Sequence, residues 1–499
     1  MVEVLLMVES KGMYINGVWG HSSSGQVSNV VNPATEEVIA TVPAGTVDDA
    51  RAAIDSAEAV FDSWSSLTPL DRAKYLFRAA DEMEAVKEDL ARTITLEQGK
   101  PLYEARLEVD GSIENLRYYA EFARRIQGDV LPSDFPNRSV MILRLPLGVV
   151  AAITPWNFPS AMVTRKVAPA LITGNTVVVK PSSYTPLSAI KIVEAFERAK
   201  LPRGVLNLVT GSGSSVGREL TSNNKTQLVT MTGSTEVGKQ IMRDASGHVA
   251  RLILELGGKA PFIVWRDADI AWAVKNALWA RFWNAGQTCI CAERIYVHRE
   301  VAERFVSSFV EAARKLRIGD PMGDVDMGPQ VSKSELEVRE KFVEEALARG
   351  AKLLTGGRRP PSLTRGYYYE PTVFVDVDQK APLVQEEVFG PVVPILEVES
   401  FDEAVEKAND SKYGLASYIF TRDLNIALKA ANTLRFGETY INQVGPELLQ
   451  GIHIGFKQSG LGGENSVYGL YNYTQLKTVY VDYSDKPNTP YLFPYTKQG

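Results

Sequence analysis

The spacing of apolar residues changes character along this chain. From Thr46 to Leu107 they recur at helical intervals. "TVDDARAAIDSAEAVFDSW" opens with a cap-like Thr46 and an acidic first turn, and "LTPLDRAKYLFRAADEMEAVKEDLARTITLEQGK" keeps the same period until Gly99 closes it. At Ser139 the pattern switches. "SVMILRLPLGVVAAIT" reads as strand up to Thr154, its first half alternating as a strand with one solvated face would. Strand and helix signals then alternate: "GNTVVVKPS", "TPLSAIKIVEAFERAKL", "GVLNLVTG", "SSVGRELTSN", "TQLVTMTGS", "TEVGKQIMRDAS", "ARLILELGG". Repeated βα units of this kind predict a parallel, doubly wound sheet. A second alternating block from Pro261 onward includes "RIYVH", the helix "AERFVSSFVEAARKL", "AKLLTGG", "FVDV" and "VVPILEV". The fold class is α/β, with two such domains. "GGRRPPSLTRG" is a loop, and "DKPNTPYLFPYTKQG" is a Pro-rich tail expected to drape over a surface.

A length of 499 residues also argues for two or three domains, since single cores rarely grow past about 250–300 residues. A net charge of −6 argues against nucleic-acid binding as a main role, because phosphate contacts need a basic face. No apolar run reaches the roughly 18–20 residues of a membrane span. The start, "MVEVLLMVES", carries Glu3 and no basic residues, so it reads as a native leader rather than a signal peptide.

Cysteine usage changes the picture more. There are only two, Cys289 and Cys291, both in "GQTCIC". A disulfide needs Cβ atoms about 3.5–4.5 Å apart, which residues i and i+2 rarely supply. With no second cysteine cluster, zinc and iron–sulfur sites are not expected, and a reduced, cytoplasmic setting fits. Cys291 reads as a small buried hydrophobe. Cys289 follows Gly286-Gln287, where a sharp turn could aim backbone amides at an oxyanion. Asn157 in "TPWNFP" could supply a second donor, or could simply bond its own loop backbone. Glu255 in "LILELGGK" lies in an apolar run before two glycines, and burial there would raise its pKa toward the range of a general base. A thiol hydrolase would need a histidine partner. Of the four histidines, His21, His248, His298 and His453, His298 lies nearest Cys289 in sequence, but nothing marks it as that partner.

Glycine-rich turns suggest phosphate binding. "VTGSGSSVGREL" sets Gly211, Gly213 and Gly217 at a strand-to-helix junction, and "MTGSTEVGK" repeats the device with Gly233, Ser234 and Gly238. Each could equally be a tight βα turn. Lys180 ends a buried strand and is either a snorkelling edge residue or a contact to ribose or phosphate.

Taken together, "PWNFP", "KPS", "TGSTEVG", "LELGGK", "GQTC" and "EEVFGPV" resemble the signature set of the aldehyde dehydrogenase superfamily, in its order and spacing. The interval of 34 positions between Glu255 and Cys289 agrees with that set. The likeness runs from "YINGVW" to "YTQLKTVYVDY". It implies a Rossmann-like dinucleotide-binding domain over 1–127 and 147–258 and a catalytic α/β domain over 259–465. An oligomerisation flap and tail would occupy 128–146 and 466–499, with flap strands at 139–146 and 476–483, in a homodimer or homotetramer. By resemblance, Cys289 is the nucleophile, Asn157 and the Cys289 amide form the oxyanion hole, Glu255 activates water, and Lys166 and Glu464 relay protons. Thr154, Pro155, Trp156, Lys180, Ser182, Ser183, Gly213, Gly217, Gly233, Ser234, Val237, Leu256, Gly257, Glu387 and Phe389 line the NAD or NADP site.

One departure bears on the cofactor. The family commonly reads "KPSE", whose acid binds the adenosine ribose hydroxyls and repels a 2′-phosphate; this chain has Ser183 there. Losing that repulsion favours NADP⁺, although a looser NAD⁺ site is the alternative. The segment "QVGPELLQGIHIGFKQSGLGG" is similar to that of lactaldehyde dehydrogenases, which points to a small hydroxyaldehyde approached by Arg165, Glu447 and His453. Read alone, Arg165 could be a helix-surface charge and His453 a satisfied core residue. Ile290, where that subgroup has a polar residue, broadens the range toward apolar aldehydes. Rival readings are a non-phosphorylating glyceraldehyde-3-phosphate or succinate-semialdehyde dehydrogenase, and a catalytically silent binding or structural member.

Overall fold

Thr46 caps the first helix as its sequence implies. Its Oγ1 accepts from Asp49 N at 3.2 Å, while the Asp49 carboxylate accepts from Thr46 N at 2.8 Å, a reciprocal capping box. In the computed structural model, which describes residues 12–445, 447–485 and 493, the helices Val47–Ala59, Phe61–Ser65, Pro69–Ala85 and Lys87–Gln98 follow in turn. The last of them stops at Gly99, whose φ of 96° ends it in a left-handed cap. Leu102–Ala120 then runs back across the layer. Leu76, Leu90 and Leu116 from these helices are wholly buried; each contributes about 1.5–3 kcal/mol by leaving water. The leader, and the Pro-rich tail from residue 486 apart from 493, lie outside the described residues.

The reading of 139–154 as one strand is corrected. Arg138–Pro146 and Val149–Ile153 are separate strands in different sheets. Between them Gly148 takes a φ of 137°, and Asn175 Oδ1 accepts from Leu147 N at 2.7 Å and Gly148 N at 3.0 Å. Pro146 lacks an N–H and helps end the first strand.

The first sheet has eight strands, in the order Gly460–Leu461, Arg251–Glu255, Thr226–Thr232, Val149–Ile153, Thr176–Lys180, Leu206–Leu208, Met13–Ile15 and Val18–Gly20. The five inner strands are mutually parallel, as the βα alternation predicts. The edges are antiparallel, which the alternation does not announce. One edge is a hairpin turned by Asn16 (φ 51°) and Gly17 (φ 75°), the conformation a two-residue hairpin turn favours. The second sheet, of seven strands, is parallel except at Lys352–Thr355. A third, antiparallel sheet pairs Thr474–Asp482 with Arg138–Pro146 over nine residue pairs and adds Asp129–Leu131. It stands well exposed, with Val130, Leu476, Tyr480 and Tyr483 in solvent. Among the described residues no helix is long and apolar enough to cross a membrane.

Candidate active site

Parallel strands put their C-terminal ends on one edge of a sheet, where open α/β sheets bind ligands. Four inner strands of the first sheet deliver Thr154 to Asn157, Lys180, Gly233-Ser234 and Glu255 to that edge. Cys289 approaches from the second sheet, in the turn before Ala292–His298.

The turn holding Cys289 is built on unusual backbone. Asn284 and Ala285 take left-handed φ values of 51° and 52°, and Gly286 follows at 75°. A Cβ on Gly286 would lie 2.5 Å from the Gly390 carbonyl, so glycine is required there. Buried hydrogen bonds hold this shape. Asn284 N donates to Glu104 at 3.0 Å, Gln287 Nε2 donates to Asn284 O at 3.0 Å, and Gln287 Oε1 accepts from Val331 N at 2.9 Å. Asn157 joins the same network. Its Nδ2 donates to Gln287 O at 3.0 Å rather than to its own loop, and its carbonyl accepts from Asn284 Nδ2 at 3.0 Å and Lys100 Nζ at 2.8 Å. Lys100 is itself paired with Glu108 at 2.6 Å, and both are buried.

The two glycines after Glu255 have separate steric reasons. A Cβ on Gly257 would fall 2.5 Å from a Glu387 carboxylate oxygen, and one on Gly258 would fall 2.2 Å from Cys289 O. Cys289 is half-buried, whereas Cys291 is buried in the core, as its sequence setting implies. Burial raises the Cys289 thiol above its ordinary pKa, and a side-chain hydrogen bond with His453 pulls it back. Glu255 is buried, and neither of its carboxylate oxygens has a hydrogen-bond partner. Burial lifts its pKa to about 8.

His453 is the hub of the polar side of the site. Its backbone exchanges both hydrogen bonds with Glu464, each at 2.8 Å. Its Nδ1 lies 3.0 Å from Glu438 and 3.3 Å from Glu447, and its Nε2 lies 3.7 Å from Glu255. Burial works against a charged ring, yet Glu438, Cys289 and Glu447 hold its pKa well above the histidine range. Arg165 is buried and lies 3.7 Å from Glu447, not on a helix surface. Lys166 pairs with buried Glu464 and donates to Thr232 Oγ1 at 2.7 Å. Against burial, Lys166 and Arg165 hold the Glu464 carboxyl below its ordinary range. Ile290 is buried, and its carbonyl accepts from Tyr418 at 2.7 Å.

On the cofactor side, Lys180 is buried, with Pro181 O at 3.1 Å as its hydrogen-bond partner, and burial lowers its pKa to about 8. Such a cation gains from a ligand hydroxyl or phosphate. Thr154 Oγ1 nearby is buried without a partner, and Thr154 N donates to Lys180 O at 3.1 Å. Ser234 caps the helix Thr235–Ala245, a start that suits an anion. Beside it Val237 is exposed, and Gly238 admits Leu256, whose side chain would sit 2.6 Å from a Cβ there. The turn over Gly213–Gly217 is a wide, π-helical one capped by Ser212 rather than a tight one. Ser182 Oγ accepts from Tyr184 N at 3.2 Å, and exposed Ser183 donates to Gly211 O at 3.3 Å. Pro155 leads into Trp156, which meets Phe389 edge-to-face at 5.4 Å. Glu387 accepts from Gly258 N at 2.7 Å, and burial, with Glu293 close by, raises its pKa to about 8. These residues fit a dinucleotide.

The sequence pattern of the Aldehyde dehydrogenase family matches residues 19–479. The chain belongs to that family. It is 50% identical over 479 residues to the D-glyceraldehyde dehydrogenase (NADP(+)) of Thermoplasma acidophilum, covering 95% of this chain and 97% of that one. The crystal structure of lactaldehyde dehydrogenase from Escherichia coli superposes with a TM-score of 0.93 at 42% identity, covering 94% of this chain and 99% of that one. A structure of 3,6-anhydro-L-galactose dehydrogenase in complex with NAP gives 0.93 at 42% identity over 95% and 100%. This aldehyde dehydrogenase therefore has the fold and the oxidoreductase class that its motifs imply.

Several supports of the site escape sequence reading. Lys100 and Glu108 lie on the helical layer, far in sequence from Asn157. Glu293 accepts from Val388 N at 2.8 Å and Phe389 N at 2.7 Å while paired with Lys259 at 2.7 Å, and so fixes the loop of Glu387 and Phe389. Glu438 opens a strand with nothing in its neighbours to mark it. Such partners meet only in the folded chain.

Proposed function

We propose that this aldehyde dehydrogenase oxidises a small hydroxyaldehyde to its carboxylic acid with NADP⁺. The observation that carries this is the buried polar wall of Arg165, Glu447 and His453 beside Cys289. A simple alkanal has nothing to offer these groups, whereas a hydroxyl can both donate to Glu447 and accept from His453 or Arg165. The relative from Thermoplasma acidophilum, a D-glyceraldehyde dehydrogenase (NADP(+)), supports the same reading. Arg165 is already neutralised by Glu447, which disfavours a phosphorylated or dicarboxylate substrate.

Cys289 Sγ attacks the carbonyl carbon, and the oxygen gains the charge. Asn157 Nδ2 and the Cys289 amide hold that oxygen, each donor contributing about 3–4 kcal/mol. Asn157 suits the task because its carbonyl is pinned by Lys100 and Asn284, which leaves the carboxamide little freedom. NADP⁺ would supply the hydride acceptor, held by Lys180, Ser183, the helix start at Ser234, and Glu387 with Phe389. The resulting thioester on Cys289 is hydrolysed by water that Glu255 deprotonates. Lys166 and Glu464 carry the proton away from the buried carboxyl.

Ser183 in place of an acid supports NADP⁺ over NAD⁺. The exposed three-stranded sheet supports assembly into homodimers or homotetramers through its bare strands and apolar faces. The test is kcat/KM over a panel of hydroxyaldehydes, alkanals and semialdehydes with both cofactors, in wild type and Arg165→Met. The reading expects hydroxyaldehydes with NADP⁺ to lead, and the substitution to raise KM for them more than for alkanals. Equal effects on both classes would remove the basis for the substrate assignment.

A further inference from the structure

Three side chains of the metal-binding type converge in the polar wall of the site. His453 Nδ1 lies 3.0 Å from Glu438 Oε1 and 3.3 Å from Glu447 Oε1. Among the described residues this is the one group of histidine, cysteine or carboxylate side chains placed to share a metal ion, its three donor atoms all within 4.8 Å of one another. Zinc bonds imidazole nitrogen and carboxylate oxygen at about 2.0–2.2 Å, which sets tetrahedral ligand atoms about 3.3–3.5 Å apart. The two distances from Nδ1 fall close to that spacing. A scarcity of cysteines argues only against thiolate zinc sites, and this donor set is imidazole and carboxylate.

The far side of each donor also has a partner. Tyr440 donates to Glu438 Oε2 at 2.8 Å, and Glu447 Oε2 faces Arg165 at 3.7 Å. Each carboxylate thus turns one oxygen to the ring while an outer group holds the other. The ring's second nitrogen, Nε2, faces Glu255 Oε2 at 3.7 Å. Glu255 is 2% exposed, and neither of its oxygens has a hydrogen-bond partner. A histidine that binds metal through one nitrogen almost always donates the N–H of the other, often to a carboxylate. Glu255 is a buried, unpartnered carboxylate at that place.

We propose that His453 Nδ1, Glu438 and Glu447 bind one Zn²⁺ ion, with a fourth position left for water, and that this ion reversibly inhibits the enzyme. One imidazole with two carboxylates suits zinc better than calcium or magnesium, which prefer all-oxygen shells of about six or more ligands. Nδ1 passes any proton it carries to water as zinc arrives, and Nε2 keeps its N–H for Glu255. Zinc then occupies two of the three side chains proposed to meet the substrate's hydroxyl. The ring it holds also engages the carboxyl proposed to act on the hydrolytic water. Zinc and hydroxyaldehyde therefore compete for one wall.

The inhibitory role rests on the proposed substrate wall, whereas zinc binding is measured without turnover. Zinc chloride is titrated by calorimetry into the full-length, cofactor-free protein after EDTA treatment and dialysis, and the zinc K-edge absorption spectrum is recorded on the loaded wild type. One ion per chain is expected, with a nitrogen and oxygen shell near ~2.0 Å and no sulfur near ~2.3 Å. Cys289→Ala should bind as tightly as wild type. Glu438→Gln and His453→Gln should weaken binding by at least about tenfold, the loss that even an outer partner of a metal ligand commonly causes. Circular dichroism and NADP⁺ affinity matched to wild type verify each fold, and if neither ligand variant folds, the wild-type spectrum decides alone. No stoichiometric binding overturns the proposal and leaves the cluster an imidazole held between carboxylates. A sulfur shell, or binding lost in Cys289→Ala, overturns it by making the thiol the ligand. With D-glyceraldehyde, zinc should raise KM, and EDTA should restore it; zinc bound here without that effect overturns the inhibitory role. Wild type that oxidises no aldehyde even in EDTA would sink the functional reading and not the zinc site.

Discussion

His453 Nε2 and Glu255 Oε2 stand 3.7 Å apart, both side chains almost fully buried. The imidazole belongs to the polar wall proposed to meet the substrate's hydroxyl, and the carboxylate is proposed to act on the water that releases the product. Because burial is the largest influence on Glu255 and lifts its pKa to about 8, the carboxyl is mostly protonated at neutral pH.

That assignment fixes a pH dependence. A general base works in its deprotonated form, so a Glu255 whose pKa is raised to about 8 gives a rate of thioester hydrolysis that rises with pH through that value. The pH profile of kcat under hydrolysis-limited conditions should show the rising limb, and Glu255→Gln should abolish it. Glu255→Gln should also lower kcat by about 10²–10⁴-fold while keeping one rapid burst of NADPH per active site. A normal steady state in this variant would assign the base elsewhere.

Ser183 should govern the choice between cofactors. Ser183→Glu sets a carboxylate where the 2′-phosphate is expected, so kcat/KM with NADP⁺ should fall by about tenfold or more, ~1.4 kcal/mol, with NAD⁺ little changed. Steady-state kinetics with both cofactors check this. An unaltered ratio would mean that the phosphate lies away from Ser183.

Lys100 should matter although it touches neither substrate nor cofactor. Lys100→Met leaves Glu108 buried without its cation and frees the Asn157 carbonyl. Breaking a buried pair in this way costs about 3–5 kcal/mol. The thermal midpoint should fall, and kcat should fall with little change in KM, since the oxyanion donor loosens. Lys100→Met with Glu108→Leu should recover part of the stability, because no unpaired charge remains.

Much of the centre was legible in the sequence because its residues are held by local devices. Glu255 ends a strand before two glycines, Cys289 follows a turn that needs Gly286, and Ser234 caps a helix. The inner parallel strands were legible through βα alternation. The antiparallel edges, and the break at Gly148, were not, because they depend on which strand lies alongside in space. The same limit hid Glu438, Glu293 and Lys100. Each is an ordinary charged residue in its own segment, and each acquires meaning from a partner on another part of the fold: Glu438 from the His453 ring, Glu293 from the backbone of Val388 and Phe389, and Lys100 from the Asn157 carbonyl. Arg165 shows the converse. As sequence it could be a surface charge, and only the fold buries it against Glu447.

The most direct test of the account is NADP⁺ reduction with D-glyceraldehyde or lactaldehyde by wild type and by Cys289→Ala, with NADP⁺ affinity measured alongside. The account expects robust reduction by wild type, loss to background in Cys289→Ala, and undiminished cofactor binding. Reduction that survives the loss of the Cys289 thiol would contradict it.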